Sequence, residues 1–191
     1  MMTISVLMSV YKSEKPEYLD EALASVWTEQ TLKPQQIVLV EDGKLNDGLY
    51  AVIEKWQKKL GGVLVVHANK VNLGLTKSLN IGLGYVTSDL VARMDSDDIS
   101  LPCRFEMQEK FLEEHPDVAV VGGAMQEFNS ANPNVNVRHY PLTHDAVLRS
   151  IYKASPLAHP TVMMRMSMFR EGGLRYDERF RTSQDLSLIH I

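Results

Sequence analysis

Residues 90–98 read Leu-Val-Ala-Arg-Met-Asp-Ser-Asp-Asp, so an apolar run ends in three carboxylates within four residues. The run predicts a buried β-strand, and the residues after the acidic stretch predict a helix. Three carboxylates this close repel one another and raise each other's pKa unless a cation lies between them. Mg²⁺ and Mn²⁺ prefer such oxygen ligands and often accompany a phosphate-bearing substrate. The alternative is an acidic turn, because Asp and Ser are also common in loops and at helix N-termini.

The rest of the chain alternates apolar segments with helical patterns. The apolar segments predict five strands, at residues 3–11, 36–40, 63–66, 89–94 and 118–121. One helical pattern begins at Pro16, and four others cover residues 47–60, 76–83, 102–114 and 145–152. This alternation predicts an α/β fold with a doubly wound, mostly parallel sheet, a Rossmann-like nucleotide-binding core. After Asn129 the pattern loosens into an Asn-rich stretch, for which no strand is predicted.

Size, charge and cysteine content narrow the class of protein. The 191 residues are enough for one domain with its own core, and no interdomain linker is visible. A net charge of −4 argues against a nucleic-acid-binding protein, which normally has a basic face. The single cysteine, Cys103, forbids an internal disulfide, so a reducing cytoplasm is the expected compartment. No apolar run approaches the roughly 20 residues that span a bilayer. This observation leaves peripheral contact with a membrane surface open.

Polar side chains follow three of the predicted strands at the point where each strand ends. Tyr11 and Lys12 follow the first strand, residues 41–43 the second, and residues 95–97 the fourth. In a doubly wound sheet the ligand crevice lies outside the carboxyl ends of the strands. The three clusters are therefore expected to meet at one site, which we predict binds a polyanion together with a metal ion.

Five short motifs follow one another along the chain. They are SVLMSVY at residues 5–11, VLVEDG at 38–43, NLGL at 72–75 with NIG at 80–82, MDSDD at 94–98, and His159-Pro160. In this order they make the chain resemble the family 2 glycosyltransferases of the GT-A fold. The resemblance implies a GT-A-type sheet, a nucleoside diphosphate sugar as donor, and Mn²⁺ or Mg²⁺ as cofactor. Within the family the chain is most similar to transferases of bacterial exopolysaccharide and amylovoran synthesis.

The resemblance assigns donor nucleotide binding to the first two strand ends. Val10 and Tyr11 would lie at the nucleobase, with the Tyr11 ring stacked on it or beside it. Asp42 would accept the imino N–H of the base, with Glu41 nearby. An aromatic residue at a strand end is also a common structural feature, so a packing role is the alternative for Tyr11.

The resemblance also divides the acidic cluster into roles. Asp95 would contact the ribose or the donor sugar, and Asp97 would ligate the metal ion that bridges the diphosphate. Asp98 is expected to cap the helix that follows or to stand behind the ligands. Lys77 is a candidate phosphate contact or else a solvated helix residue, because the family commonly carries Arg where this chain has Leu79.

Two residues are candidates for the acceptor side of the site: His159 and a catalytic base. His159 would line the acceptor or phosphate side, or it is a packed, hydrogen-bonded histidine. An inverting transfer needs a carboxylate that deprotonates the acceptor hydroxyl. Asp185 matches the family's position for this base, with Gln184 in place of the commoner Glu. Residues 186–191 do not match and look like a translated sequencing adapter, so we expect a glycosyltransferase domain at 1–185, a non-native tail, and a longer native protein.

These observations predict an inverting, metal-dependent glycosyltransferase. It would move a sugar from a nucleoside diphosphate, UDP by resemblance, to a glycan or lipid-linked acceptor in surface polysaccharide synthesis. The expected location is the cytoplasm or, peripherally, the inner face of the cytoplasmic membrane. A sugar-phosphate nucleotidyltransferase is the alternative enzyme, although residues 9–13 lack the Gly-rich basic loop usual in that class. The alternative that is not an enzyme is a non-catalytic nucleotide-binding fragment.

Overall fold

A six-stranded sheet lies at the centre of the computed structural model, which describes residues 1–129 and 132–179. Its strands are β1 (Ile4–Val10), β2 (Gln36–Glu41), β3 (Leu64–Ala68), β4 (Leu90–Arg93), β5 (Val120–Val121) and β8 (Met163–Arg165). Between them along the chain, β6 (Met125–Asn129) and β7 (Asn132–Arg138) form a separate hairpin. The order across the sheet is β3-β2-β1-β4-β8-β5, and the first four of these strands are parallel.

The mostly parallel sheet predicted from the sequence is confirmed, with one addition. The short strand β8 lies between β4 and β5 and runs antiparallel to both. Its three residues are too few to give a periodic signal, and its place comes from backbone hydrogen bonds to strands distant in sequence. The fifth predicted strand is shorter than expected, Val120–Val121 instead of residues 118–121.

The Asn-rich stretch contains the β6–β7 hairpin, which the sequence pattern does not predict. Asn and Pro are depleted in strands, and β7 begins with Asn-Pro-Asn. The two strands pair antiparallel, from Met125 opposite Arg138 to Asn129 opposite Asn132, with a register shift after Glu127. Strand structure here depends on the pairing of the two backbones and not on the intrinsic preference of the residues.

Helices lie on both sides of the sheet. Within the described ranges they are α1 (Pro16–Trp27), α2 (Asp47–Leu60), α3 (Leu75–Leu83), α4 (Arg104–Glu114), α5 (His144–Ser150) and α6 (Ser167–Arg170). Single 3₁₀ turns occur at Gly61–Val63 and His159–Thr161. The predicted helices are confirmed, with ends that differ by one or two residues, as is usual where helices fray.

Two apolar cores form because successive residues of β1 face opposite sides of the sheet. Val6 and Met8 pack with α1, α2 and α4 on one side, whereas Leu7 packs with α3 and α6 on the other. This is the arrangement of a doubly wound α/β sheet. Gly82 lets α3 approach β1 closely, because a Cβ atom there would lie 2.4 Å from Leu7 Cδ1. The glycine of the NIG motif therefore fixes the distance between this helix and the sheet.

In the described part of the chain, no helix combines the length and the apolar composition that crossing a membrane requires.

Candidate active site

The ends of β1 and β2 lie side by side at the carboxyl edge of the sheet. Val10 is opposite Glu41 in the parallel register, and the Asp42 amide donates to the Val10 carbonyl at 2.8 Å. Val10, Glu41 and Asp42 are buried, whereas Tyr11 is 48% exposed. The structure thus brings together the four residues predicted at the nucleobase and leaves the Tyr11 ring accessible for stacking. Their contact with a base stays a prediction.

Asp42 also holds the loop that leads into α3, a role that the sequence analysis did not identify. Its Oδ1 accepts from the Leu73 amide at 2.7 Å and from Asn69 Nδ2 at 3.1 Å, and its Oδ2 accepts from the Gly74 amide at 2.9 Å. The carboxylate lies at the N-terminus of α3, where the helix dipole favours negative charge. Each carboxylate oxygen has two acceptor positions, so Oδ2 can accept one more hydrogen bond. The predicted bond from a nucleobase N–H is compatible with these contacts.

Glu41 and Lys77, the other residues predicted near the donor nucleotide, have contrasting surroundings. Burial raises the pKa of the Glu41 carboxyl, which lies at the end of β2. Lys77 lies in the first turn of α3, is exposed, and has its Nζ 3.9 Å from Glu178 Oε2. An exposed ion pair of this length contributes little to stability. This position fits the solvated-helix interpretation of Lys77, and its contact with a phosphate stays a prediction.

The carboxylates of Asp95, Asp97 and Asp98 meet directly after β4. Each offers one oxygen, and the three oxygens lie within 4.8 Å of one another. Burial and the neighbouring carboxylates raise the pKa of Asp97, and the same causes raise the pKa of Asp98 to about 6. A cation between the carboxylates would relieve this repulsion. The set of three hard oxygen ligands fits Mg²⁺ or Mn²⁺, which complete their coordination with water and substrate phosphate.

Asp98 does not cap the helix that follows, which corrects one of its two predicted roles. The N-cap residue of α4 is Cys103, which makes no side-chain capping hydrogen bond. Residues 99–102 separate Asp98 from this position, so Asp98 is too early in the chain to act as the cap. The Asp98 carboxyl lies instead with Asp95 and Asp97. Its second predicted role, behind the metal ligands, stays open as a prediction.

The last residue of β4 is a buried arginine that contacts the acidic cluster. Arg93 is 2% exposed, and its Nη2 group forms an ion pair with Asp95 Oδ1. Its Nε and Nη1 groups are buried without a hydrogen-bond partner in the part of the chain that the structure describes. Arg93 belongs to none of the polar clusters predicted from the strand ends. The available signal is a charged side chain inside an otherwise apolar strand.

A second arginine ties α4 to the strand that carries the cluster. Arg104 Nη2 donates to the carbonyl oxygens of Arg93 at 2.8 Å and Val162 at 3.2 Å, and Nε donates to Gln108 Oε1 at 3.1 Å. Burial and the nearby Arg93 charge lower the pKa of Arg104 to about 9, so it is still protonated at neutral pH. Arg104 therefore fixes the helix that follows the acidic loop against β4 and β8.

His159 occupies a packed position close to the end of β4. Its Nε2 is 3.1 Å from the Tyr176 hydroxyl, and the two rings meet edge to face with centroids 5.5 Å apart. Burial and the charge of Arg93 lower the pKa of His159 to about 2, so the ring is neutral at physiological pH. A neutral ring does not attract a phosphate by charge, and these surroundings match the packed interpretation. A role at the acceptor side stays a prediction.

The expected catalytic base lies outside the described residues. Asp185 and Gln184 fall within residues 180–191, as does the tail at 186–191. The last described segment ends at Arg179, and within it Tyr176 is hydrogen-bonded to α3. The Asn80 side chain accepts from the Tyr176 amide and donates to its carbonyl, each at 2.9 Å. The NIG motif is therefore connected to the segment that leads toward the predicted base.

The sheet and its polar edge define the class of protein. A doubly wound α/β domain carries polar clusters at the ends of β1, β2 and β4, where such domains bind nucleotides. Residues 5–173 match the family named Glycosyl transferase family 2. The chain belongs to this family, and the resemblance of its five motifs is confirmed.

Individual relatives agree with this assignment. The chain is 41% identical over 161 residues to the amylovoran biosynthesis glycosyltransferase AmsE of Erwinia amylovora, a match that covers 84% of this chain and 59% of AmsE. It is 32% identical over 170 residues to the UDP-Gal:alpha-D-GlcNAc-diphosphoundecaprenol beta-1,3-galactosyltransferase of Escherichia coli, with coverage of 88% and 61%. The chain thus spans about three fifths of the length of these curated relatives.

A solved structure shows the same fold. The structure of residues 1–349 of S. aureus TarS superposes with a TM-score of 0.74 at 25% sequence identity, covering 97% of this chain and 53% of TarS. The GT-A-type architecture predicted from the motifs is confirmed by this similarity and by the family match.

Proposed function

We propose that this chain is the donor-binding part of an inverting, metal-dependent glycosyltransferase. The donor is a nucleoside diphosphate sugar, with UDP as the nucleotide, and the acceptor is a glycan or a lipid-linked sugar in surface polysaccharide synthesis. The observation that carries the proposal is the meeting of three carboxylate oxygens within 4.8 Å at the end of β4. In a family 2 glycosyltransferase fold, that edge is where a nucleotide sugar would be held.

The relatives support the substrate class. The name of the Escherichia coli relative specifies UDP-Gal as its donor and a diphosphoundecaprenol-linked acceptor, and AmsE is named for amylovoran biosynthesis. A lipid-linked acceptor would place the protein in the cytoplasm, peripherally at the inner face of the cytoplasmic membrane.

Each candidate residue has a role in this proposal. Tyr11 would stack on the nucleobase, and the remaining acceptor position of Asp42 Oδ2 would receive the base N–H. Asp95 would contact the ribose or the sugar, while Asp97 would hold Mn²⁺ or Mg²⁺. The bound ion would supply Lewis-acid stabilisation of the negative charge on the departing diphosphate. Asp185 would take the proton from the acceptor hydroxyl, which inversion at the anomeric carbon requires.

Removal of Asp97 tests the metal site. Calorimetric titration of the 191-residue chain with UDP should show binding that depends on Mn²⁺. We expect Asp97→Ala to weaken this binding by about 100-fold or more, because loss of even an outer partner of a metal site costs about 10–100-fold. Asp117→Ala is the matched control, since Asp117 is an exposed carboxylate outside the cluster. Nucleotide binding that is independent of Mn²⁺, or unchanged in Asp97→Ala, would contradict the proposal.

The products of turnover separate the rival functions. A glycosyltransferase releases the nucleoside diphosphate and transfers the sugar, whereas a nucleotidyltransferase forms pyrophosphate. Asp185→Ala should abolish transfer and leave Mn²⁺-dependent UDP binding intact, because the base acts on the acceptor and not on the nucleotide. Binding without either product would instead identify a non-catalytic nucleotide-binding module.

A further inference from the structure

Arg93 is the charged residue of the described chain that its surroundings explain least well. Its side chain lies inside the protein, and a single ion pair, to Asp95, is its contact with the acidic cluster. The other two N–H-bearing atoms, Nε and Nη1, have no acceptor among the described residues. A buried donor without an acceptor is destabilising, and a buried charge even more so. The fold therefore retains Arg93 at a cost to its stability.

A structural arginine elsewhere in the same sheet shows the contrast. Arg165 of β8 donates from Nε to the Val118 carbonyl at 2.7 Å, and from Nη2 to the carbonyls of Leu112 at 2.5 Å and His115 at 3.1 Å. These bonds tie β8 to the end of α4 at the opposite edge from the acidic cluster, because Arg165 pairs with Leu90 at the start of β4. Arg93 makes no comparable set of bonds, so holding elements together does not account for it.

The charges around Arg93 indicate what it does. The three carboxylates and the nearby Glu14 carry four negative charges, and the buried guanidinium groups of Arg93 and Arg104 compensate two of them. Two negative charges are what one divalent cation neutralises. The guanidinium also holds Asp95 Oδ1, so this carboxylate is oriented before any ligand arrives. Such outer contacts are a common means of fixing the carboxylates of a metal site.

We propose that Arg93 is a positioning residue of the donor site. Its buried guanidinium orients Asp95 and adjusts the charge of the cluster to that of one divalent ion, so the site is preorganised for a metal–diphosphate pair. This inference rests on the proposed function, because it assigns Arg93 to the same metal and nucleotide. Removal of a residue that serves binding should weaken metal-dependent nucleotide binding much more than it changes stability.

Arg93→Met tests this expectation with two separate measurements. Met fills similar space and removes two buried donors that lack acceptors, but it also leaves Asp95, whose side chain is 33% exposed, without its ion-pair partner. Because these two effects oppose each other, we expect the melting temperature of the metal-free protein to change little. Mn²⁺-dependent UDP affinity, measured by calorimetry, should fall by about 10–100-fold. Arg93→Lys keeps the charge and should bind more tightly than Arg93→Met.

Arg165→Met is the control for the loss of a half-buried arginine from the same sheet. It should lower the melting temperature, because it breaks three bonds to backbone carbonyls. It should leave Mn²⁺-dependent UDP affinity unchanged, since Arg165 lies away from the cluster.

Each other outcome overturns a definite part of the inference. If Arg93→Met melts at a clearly lower temperature but binds UDP as the wild type does, Arg93 is structural and the inference fails while the proposed function stands. If Arg93→Lys binds no better than Arg93→Met, the charge-based role fails. If the wild-type chain shows no Mn²⁺-dependent UDP binding, the proposed function fails and this inference fails with it.

Discussion

Asp98 is the most strongly perturbed carboxyl of the acidic cluster. Burial, Asp95 and Asp97 raise its pKa from the ordinary 3.8 to about 6. The folded protein therefore holds the Asp98 proton more tightly than the unfolded chain does, and protonation of this group stabilises the fold. This contribution is fully present below about pH 4 and is lost as the pH rises through about 6.

The pH dependence of stability follows from this shift. In metal-free buffer with a chelator, the contribution of Asp98 to the free energy of unfolding should decrease between about pH 4 and pH 6. Asp98→Asn lacks the titrating group, so the free energy of unfolding of the wild type should fall relative to that of Asp98→Asn over this range. Urea unfolding of both proteins at intervals of pH measures the difference. Parallel curves for the two proteins would show that Asp98 does not titrate in this way.

Asp42 is a residue whose position in the fold is predicted by the sequence but whose side-chain contacts are not. The position of Asp42 after a buried strand, in the EDG motif, predicts that it lies at the ligand-binding edge. The strand order does bring it beside Val10, as expected. Its bonds to the amides of Leu73 and Gly74 depend on how the loop before α3 folds back onto β2. No local pattern records a contact between residues about 30 positions apart.

At the scale of an element, α3 is fixed against β1 by the absence of a side chain. A Cβ atom on Gly82 would lie 2.4 Å from Leu7 Cδ1 and 3.0 Å from Val40 Cγ2, both in the apolar core. Glycine within a helix normally lowers stability by about 1 kcal/mol relative to alanine. At residue 82, the close packing of α3 onto the sheet makes glycine more favourable than alanine.

Substitution of Gly82 by alanine should therefore destabilise the protein. Overpacking of a close core contact typically costs about 1–3 kcal/mol, which exceeds the gain in helix propensity. Denaturant unfolding of Gly82→Ala should show this loss. Gly62→Ala is the matched control, because nothing lies within 4 Å of a Cβ atom there. A Gly82→Ala protein as stable as the wild type would mean that α3 can move outward without cost.

The strands differ in how much of their formation the sequence predicts. β1, β2 and β4 are apolar runs that end in polar residues, and their existence follows from composition and periodicity. β8 and the β6–β7 hairpin carry no such pattern, and they form because partner strands supply backbone hydrogen bonds. The insertion of β8 between β4 and β5 has the same origin.

At the scale of the whole molecule, Asn80 connects α3 to the last described segment. Its side chain forms two hydrogen bonds of 2.9 Å with the backbone of Tyr176, and the Tyr176 hydroxyl reaches His159. The chain between these residues includes β4, α4 and the hairpin. The position of the last described segment thus depends on α3.

Asn80→Ala should loosen this connection. Loss of two hydrogen bonds, each worth about 1 kcal/mol net, should lower the free energy of unfolding by about 1–2 kcal/mol. Asn72→Ala is the matched control, because Asn72 is exposed and its amide makes one bond of 3.2 Å to the Asp42 carbonyl. Denaturant titration of the two variants should rank them in this order. An equal loss in both would show that the Tyr176 contact adds nothing to stability.

The amino-acid sequence alone determined the α/β architecture and the polar residues at which β1, β2 and β4 end, and it predicted the candidate site residues at that edge of the sheet. These follow from local properties: the period of apolar residues, the residues at which strands end, and the short motifs of the family. The tertiary structure alone decided the place of β8, the bonds of Asp42 to the loop before α3, the link from Asn80 to Tyr176, and the burial of Arg93 against Asp95. Each of these is a contact whose energy depends on groups that meet only when the chain has folded.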